Sequence, residues 1–99
     1  MIIVAGRIVV PEGAFERVVP HMEPVLRETR REPGCRTYTF ARDVLEPDVI
    51  RVFEIWESRE ALEAHGASAH VRARRAALQD IGVVSRDLRT WETDEGRPL

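Results

Sequence analysis

Two segments of this 99-residue chain are apolar at both odd and even positions, and this feature most restricts the folds open to it. The segments are residues 2–10 and 49–57, and both are rich in the β-branched residues that strands favour. Successive side chains of a strand point to opposite faces of its sheet. Each segment therefore predicts a strand that is covered on both faces.

Helical spacing marks two other parts of the chain. Large side chains recur at i, i+3, i+4 and i+7 from Phe15 to Thr29, which predicts a helix with one face on the sheet. Pro20 and Pro24 fall inside this pattern, so we expect a kink or two shorter helices. A second helical region begins at the N-cap residue Ser58, is interrupted at Gly66 and resumes to about residue 79.

Two further strands complete the pattern, at residues 36–42 and 83–92. The order β-α-β-β-α-β predicts an α+β, ferredoxin-like fold, an antiparallel sheet with helices on one face, as one domain over residues 1–92 and a mobile tail over 93–99. Because two helical regions cover only one sheet face, we expect the other face to pair with a second copy as a homodimer.

Composition excludes several classes of function. The net charge of -2 provides no basic surface for nucleic acid or an anionic membrane. All 15 basic residues are arginine, so no lysine is available for Schiff-base chemistry, and the run of Arg72, Arg74 and Arg75 is predicted to be a solvated face. A single cysteine, Cys35, and the lack of a leader or a long apolar run predict a cytoplasmic protein without disulfides or membrane spans.

The polar aromatic and imidazole groups are concentrated between residues 32 and 70, and any chemistry is expected there. Glu54 lies in the middle of an apolar strand, where it either pairs with an arginine or lines a cavity with a shifted pKa. His65 and His70 are five residues apart, which does not match the i, i+4 spacing of a helical metal-binding pair, so no metal is expected. The aromatic residues near these groups either form a core or line a pocket. They are Tyr38, Phe40, Trp56 and Trp91.

Five short motifs occur in order through this region. They are Glu32-Pro33-Gly34-Cys35, Tyr38-x-Phe40, Glu54-x-Trp56, Ser58-x-x-Ala61-Leu62-x-x-His65 and Ser68-x-His70. In this order and spacing the chain resembles the antibiotic biosynthesis monooxygenase (ABM) family, over roughly residues 1–92. The resemblance implies a dimeric α+β barrel in which two ferredoxin-like subunits pair through their sheets.

The resemblance also implies an activity. Members of the family include cofactor-independent monooxygenases that oxidise phenolic or quinol-type aromatics with dioxygen, using neither flavin nor metal. On that basis His65 is the expected base, with His70 or Glu54 second. The expected substrate-binding residues are the four aromatic ones named above.

Other members imply other outcomes. Haem-degrading relatives use an asparagine, which this chain lacks, so haem chemistry is disfavoured. An isomerase or proton-transfer enzyme acting on a carbonyl compound would need the same base in an apolar cavity. A dimer that binds a small ligand without turnover is the third alternative.

Overall fold

A computed structural model describes all residues, 1–99, and places four strands and three helices in the predicted order. The elements are β1 (Ile2–Val9), α1 (Phe15–Thr29), β2 (Cys35–Arg42), β3 (Val49–Trp56), α2 (Arg59–Gly66), α3 (Ala69–Ile81) and β4 (Ser85–Glu92). The sheet has the strand order β2-β3-β1-β4, and every neighbouring pair is antiparallel. The ferredoxin-like α+β prediction is therefore confirmed. None of the helices is long and apolar enough to cross a bilayer.

Helix α1 is continuous from Phe15 to Thr29, so the prediction of two shorter helices was wrong. Pro20 and Pro24 both lie on the exposed side of α1, where water can solvate the carbonyl groups left without a helical donor. The opposite side of the helix buries Val18, Met22 and Val25. Packing of this apolar side against the sheet outweighs the cost of the two prolines.

The interruption between α2 and α3 lies where the sequence predicts it. Helix α2 ends at Gly66, and α3 begins after Ser68, whose hydroxyl accepts a hydrogen bond from the Val71 backbone N–H. Ser58 caps α2 in the same way through the Ala61 N–H. The two caps fix the start of each helix and therefore the direction of the side chains that follow.

The pairing register decides which side chains face the helices. Across the sheet, Tyr38 pairs with Glu54, Glu54 with Val4, and Val4 with Thr90, so this row points to one face. Helices α1, α2 and α3 lie on that face, and the buried core forms between them and the sheet. The adjacent rows point to the other side, which no helix covers and which is called the open face below. Phe53 and Trp91 are 42% and 50% exposed on it.

Candidate functional site

A cavity of about 290 Å³ lies between the sheet and helices α2 and α3, and it is called the inner cavity below. Its walls combine apolar residues with one carboxylate, one imidazole and three guanidinium groups. The lining residues are Val4, Ile8, Phe40, Glu54, Leu62, His65, Gly66, Arg74, Arg75, Arg86, Leu88 and Thr90. Of the predicted site residues, the structure thus brings Phe40, Glu54 and His65 together around one space.

His65 stands in the last turn of α2 and is 6% exposed. Its Nδ1 atom lies 3.1 Å from one carboxylate oxygen of Glu32, a residue of the turn between α1 and β2. An ionised carboxylate only accepts hydrogen bonds, so Nδ1 carries the proton and donates it to Glu32. The lone pair is then on Nε2, to which no protein group donates.

Gly34 explains why the turn carrying Glu32 can approach α2 so closely. Its φ of 82° lies in the left-handed region, and a Cβ atom there would be 2.7 Å from the Cβ of Ala61. The Gly34 carbonyl also accepts a hydrogen bond from the Glu57 N–H, which ties the turn to the end of β3. Glycine at this position therefore allows Glu32 to reach a histidine that is 33 residues further along the chain.

Aromatic side chains hold the His65 ring from the sheet side. The centroid of the imidazole is 4.7 Å from that of Trp56 and 5.1 Å from that of Tyr38. Burial in these surroundings lowers the pKa of His65, and the hydrogen bond and charge of Glu32 offset part of that effect. The ring is consequently neutral at pH 7 and able to accept a proton.

His70 contacts the other oxygen of Glu32, with its Nε2 atom 2.5 Å away. It occupies the first turn of α3 and does not line the inner cavity. Glu32 and His70 instead line a surface depression of about 590 Å³ on the outer side, called the outer groove below. His65 therefore lies between the inner cavity, on which it borders, and two groups that face solvent.

Glu32, His65 and His70 are also the residues that could hold a metal ion, since their ligand atoms lie within 4.8 Å of one another. The sequence did not predict this set of three residues, because His65 and His70 lack the spacing of a helical metal-binding pair and Glu32 comes from a distant turn. In the structure Nδ1 of His65 and Nε2 of His70 already contact the Glu32 carboxylate, so a cation bound by these atoms would have to displace those contacts.

Glu54 is 5% exposed and accepts a hydrogen bond from the Trp56 indole N–H at 2.9 Å. Burial raises the pKa of the Glu54 carboxyl, while the bond from Trp56 and the nearby charge of Arg74 oppose the change. Trp56 itself is fully buried and does not line the inner cavity. Its role in this arrangement is to hold Glu54 and to pack against His65.

Tyr38 is 1% exposed, and its hydroxyl accepts a hydrogen bond from Nη1 of Arg74 at 2.7 Å. Burial raises the pKa of Tyr38 to about 12, so the phenol stays protonated at physiological pH. The side chain supports the wall behind Phe40 and His65 without lining the inner cavity.

Arg74 also lines the inner cavity, although its sequence context did not single it out as a site residue. It was predicted to be solvated with Arg72 and Arg75, but only 9% of it is exposed. The sequence feature that indicates its burial is its spacing of three residues from Val71 and four from Leu78, which places it on the buried side of α3. A cation on an apolar stripe indicates a partner or a ligand in the interior.

Trp91 requires a correction. It pairs with Ile3 in the sheet, and the side chains of that row point to the open face. Thr90, one residue earlier, is the β4 side chain that reaches the inner cavity. Because neighbouring residues of a strand point to opposite faces, Trp91 cannot contact a ligand that occupies the inner cavity.

The fold and this site define a small ferredoxin-like protein with a buried histidine at a half-apolar cavity. The chain belongs to the antibiotic biosynthesis monooxygenase family, whose model matches residues 1–77. A curated relative, the uncharacterized protein sll1783 of Synechocystis, is 36% identical over 64 residues. That match covers 65% of this chain but 44% of the relative, so the chain corresponds to less than half of that protein.

Solved structures show the same fold at low sequence identity. A candidate antibiotic biosynthesis monooxygenase from Deinococcus radiodurans superposes with a TM-score of 0.91 at 22% identity, covering 100% of this chain and 98% of the other. Rv0793 from Mycobacterium tuberculosis gives a TM-score of 0.85 at 21% identity over 98% of each chain. A conserved protein from Methanosarcina mazei gives 0.86 at 18%, covering 94% and 92%.

Proposed function

We propose that this protein is a cofactor-independent monooxygenase that oxidises a small phenolic or quinol-type aromatic with dioxygen. The observation that carries the proposal is the Glu32–His65 pair, in which Glu32 holds Nδ1 and leaves Nε2 free in a ring that borders the inner cavity. A base held by a second group is the arrangement that general base catalysis requires. His65 is its base, and Glu32 is its positioning residue.

In the proposed reaction, Nε2 of His65 takes the proton of a substrate hydroxyl. The resulting phenolate spreads its negative charge onto a ring carbon, which donates electrons to dioxygen and forms a carbon–oxygen bond. Loss of water from the peroxide leaves a carbonyl at that carbon. One oxygen atom of dioxygen enters the product, the other leaves as water, and the substrate supplies all the electrons, so neither flavin nor metal takes part.

The dimensions and the walls of the inner cavity support a small aromatic substrate. Its volume of about 290 Å³ is at the lower end of the range of small-molecule sites, roughly 300–1,000 Å³. Val4, Ile8, Phe40 and Leu88 provide apolar surface for a planar ring. His70 relays the proton from Glu32 and His65 to solvent through the outer groove.

An isomerase acting on a carbonyl compound is the second candidate, because it uses the same base to remove a proton from carbon. It would convert its substrate without consuming oxygen. A ligand-binding dimer without turnover is the third candidate. The neutral, positioned imidazole favours the two catalytic alternatives, because ligand binding alone does not require a free lone pair.

Oxygen uptake by metal-free, flavin-free protein tests the proposal. The panel contains quinols, naphthols and polycyclic phenols, and it is measured with wild type, His65→Ala and His21→Ala. His21 is exposed on α1 and serves as the matched control. We expect stoichiometric oxygen uptake in wild type and in His21→Ala, and its loss in His65→Ala. No uptake with any phenol, or full uptake in His65→Ala, would refute the monooxygenase proposal.

We also propose that the protein is a homodimer formed through the open face. Phe53 and Trp91 are exposed there, and the face has no helix to cover it. A charged residue at Phe53 would place like charges opposite each other or against apolar surface in the interface. Sedimentation should show a dimer for wild type and a monomer for Phe53→Asp, whereas a monodisperse wild-type monomer at micromolar concentration would contradict the proposal.

A further inference from the structure

Three arginines meet at one end of the inner cavity, and they are called the arginine cluster below. Arg74 and Arg75 come from α3, and Arg86 comes from β4. All three line the inner cavity, and all three also line a neighbouring cavity of about 300 Å³ beside the end of α3. The cluster thus separates two spaces and presents guanidinium groups to both.

The arginine cluster has no carboxylate partner. None of its guanidinium groups lies within 4.0 Å of an acidic side chain, although other arginines of the chain form such pairs. Arg74 donates to the neutral Tyr38 hydroxyl, and Arg75 donates to the Gly66 carbonyl at 3.3 Å. The Nε atom of Arg74 is buried and has no acceptor at all. Buried donors of this kind are normally satisfied, so the unpaired N–H of Arg74 favours a bound acceptor at this position.

The local charge balance points the same way. Glu54 is the single carboxylate among the residues that line the inner cavity, against three cations. Burial lowers the pKa of Arg86, and the charges of Arg74 and Arg75 lower it further. Burial also raises the pKa of Glu54, which weakens the one compensating charge. The protein therefore keeps an excess of positive charge in a partly enclosed space, at a cost in stability.

We propose that the arginine cluster binds an anionic oxygen group of the substrate, a carboxylate or a phosphate, while the substrate's ring occupies the apolar wall. This inference deepens the proposed function and rests on it for the identity of the ring. Guanidinium groups bind both kinds of anion through paired N–H donors. The substrate class is thus an aromatic hydroxy acid or an aromatic phosphate ester, held by its anion at the cluster with its hydroxyl toward His65.

A binding experiment tests the cluster without requiring turnover. Calorimetric titration at low ionic strength compares 2-naphthol, 6-hydroxy-2-naphthoate and 2-naphthyl phosphate, which share a ring and differ in the anionic group. We expect one of the two anions to bind at least roughly tenfold more tightly than 2-naphthol, as charge-assisted hydrogen bonds predict. The anion that binds more tightly shows whether the anionic group of the substrate is a carboxylate or a phosphate. Equal affinities for all three probes, or no binding of either anion, would refute the proposal.

Variants then assign the preference to the cluster. Arg75→Gln and Arg86→Gln change exposed side chains and should fold, and each should reduce the anion's affinity by roughly tenfold while leaving 2-naphthol unaffected. Arg72→Gln is the matched control, because Arg72 is exposed on α3 and lines neither cavity. An equal loss in Arg72→Gln, or no loss in either cluster variant, would place the anion elsewhere.

The outcomes separate this inference from the proposed reaction. Tight, arginine-dependent binding of an anion without oxygen uptake would retain the anion site and reject the monooxygenase. Oxygen uptake on phenols, combined with equal affinities for 2-naphthol and the two anions, would retain the monooxygenase and reject the anion site. His65→Ala should abolish oxygen uptake and leave the anion preference intact, because His65 does not belong to the cluster.

Discussion

The two ends of the inner cavity differ in whether their charged side chains have partners. At the His65 end each charged or titratable side chain has a hydrogen-bond partner, since Glu32 contacts His65 and His70, and Trp56 donates to Glu54. At the other end the arginine cluster has no counter-charge within 4.0 Å, and the Nε atom of Arg74 has no acceptor. The first end is preorganised for proton transfer without a ligand. The second end becomes complete only when an anion binds.

The largest effect should come from breaking the paired end. In Glu32→Gln the acceptor for the His65 Nδ1 proton loses its charge, and the amide can donate to Nδ1 as well as accept from it, so the tautomer of the ring is no longer fixed. A positioned base contributes typically 10²–10⁴-fold, and we expect turnover to fall about a hundredfold. Steady-state oxygen uptake measures the loss, and Glu28→Gln on the exposed side of α1 is the matched control. Unchanged turnover would remove Glu32 from the mechanism.

Stability should fall when the buried link between the two ends is cut. Tyr38→Phe removes the acceptor for Arg74 Nη1 and leaves a second unpaired donor on a buried cation. We expect a loss of about 1–3 kcal/mol in the free energy of unfolding, measured by denaturant titration. Tyr38→Phe combined with Arg74→Met should recover part of it, because no cation is then left unpaired. A neutral single variant would show that water satisfies Arg74.

The pH dependence of turnover should reflect the ionisation of His65, at the end of the inner cavity where the polar side chains are paired. Burial lowers the pKa of His65, so its neutral form persists below the usual histidine range, and turnover should fall about tenfold per pH unit only below that lowered pKa. In the unfolded chain His65 takes up its proton near pH 6.5, before the folded protein does. Its contribution to stability is therefore present above about pH 6.5 and is lost as the pH falls toward the folded pKa.

Glu32→Gln sharpens this test. Removing the carboxylate removes the charge that favours the imidazolium, so the acid limb of the pH–rate profile should move to lower pH. A purely structural role for Glu32 would reduce activity without moving the limb. Displacement of the limb to higher pH would contradict the assignment of His65 as the base.

The smallest expected effect is a gain in stability rather than a loss. Arg86→Gln removes one of three mutually repelling cations at the unpaired end, so we expect the free energy of unfolding to rise by a few tenths of a kcal/mol. The gain should shrink when salt screens the repulsion. Denaturant titration at low and high salt measures both effects, with Arg72→Gln as the reference. A loss of stability in Arg86→Gln would mean that the cluster is already neutralised.

The sequence predicted those parts of the molecule that depend on local pattern. Strand parity placed Glu54 and Trp56 on one face, and Ser58, Gly66 and Ser68 marked the helix boundaries as observed. Of the two outcomes expected at Pro20 and Pro24, two shorter helices was wrong because tertiary packing, which is not local, offset the cost of proline. The fold was thus predictable except where distant contacts decided the local structure.

The site was less predictable, because its groups come together through contacts across the fold. His65 and Glu54 could be singled out by their surroundings in the sequence, but the partner of His65 is 33 residues away in a turn. Arg74 looked like one member of a charged surface run, and only its place on the buried stripe of α3 distinguished it. A charged residue among the buried positions of α3 was the sequence feature that could have identified Arg74. Recognising it requires knowing which residues of the helix face the core.

The position of His65 separates the path of a proton from the space that an organic ligand would occupy. Its ring borders the inner cavity, while Glu32 and His70 behind it face the outer groove. In the proposed reaction, a proton taken from a bound molecule reaches bulk water through the outer groove, on the opposite side of the His65 ring from the ligand in the inner cavity. Under that proposal, the base returns to its neutral form without waiting for the product to leave the inner cavity.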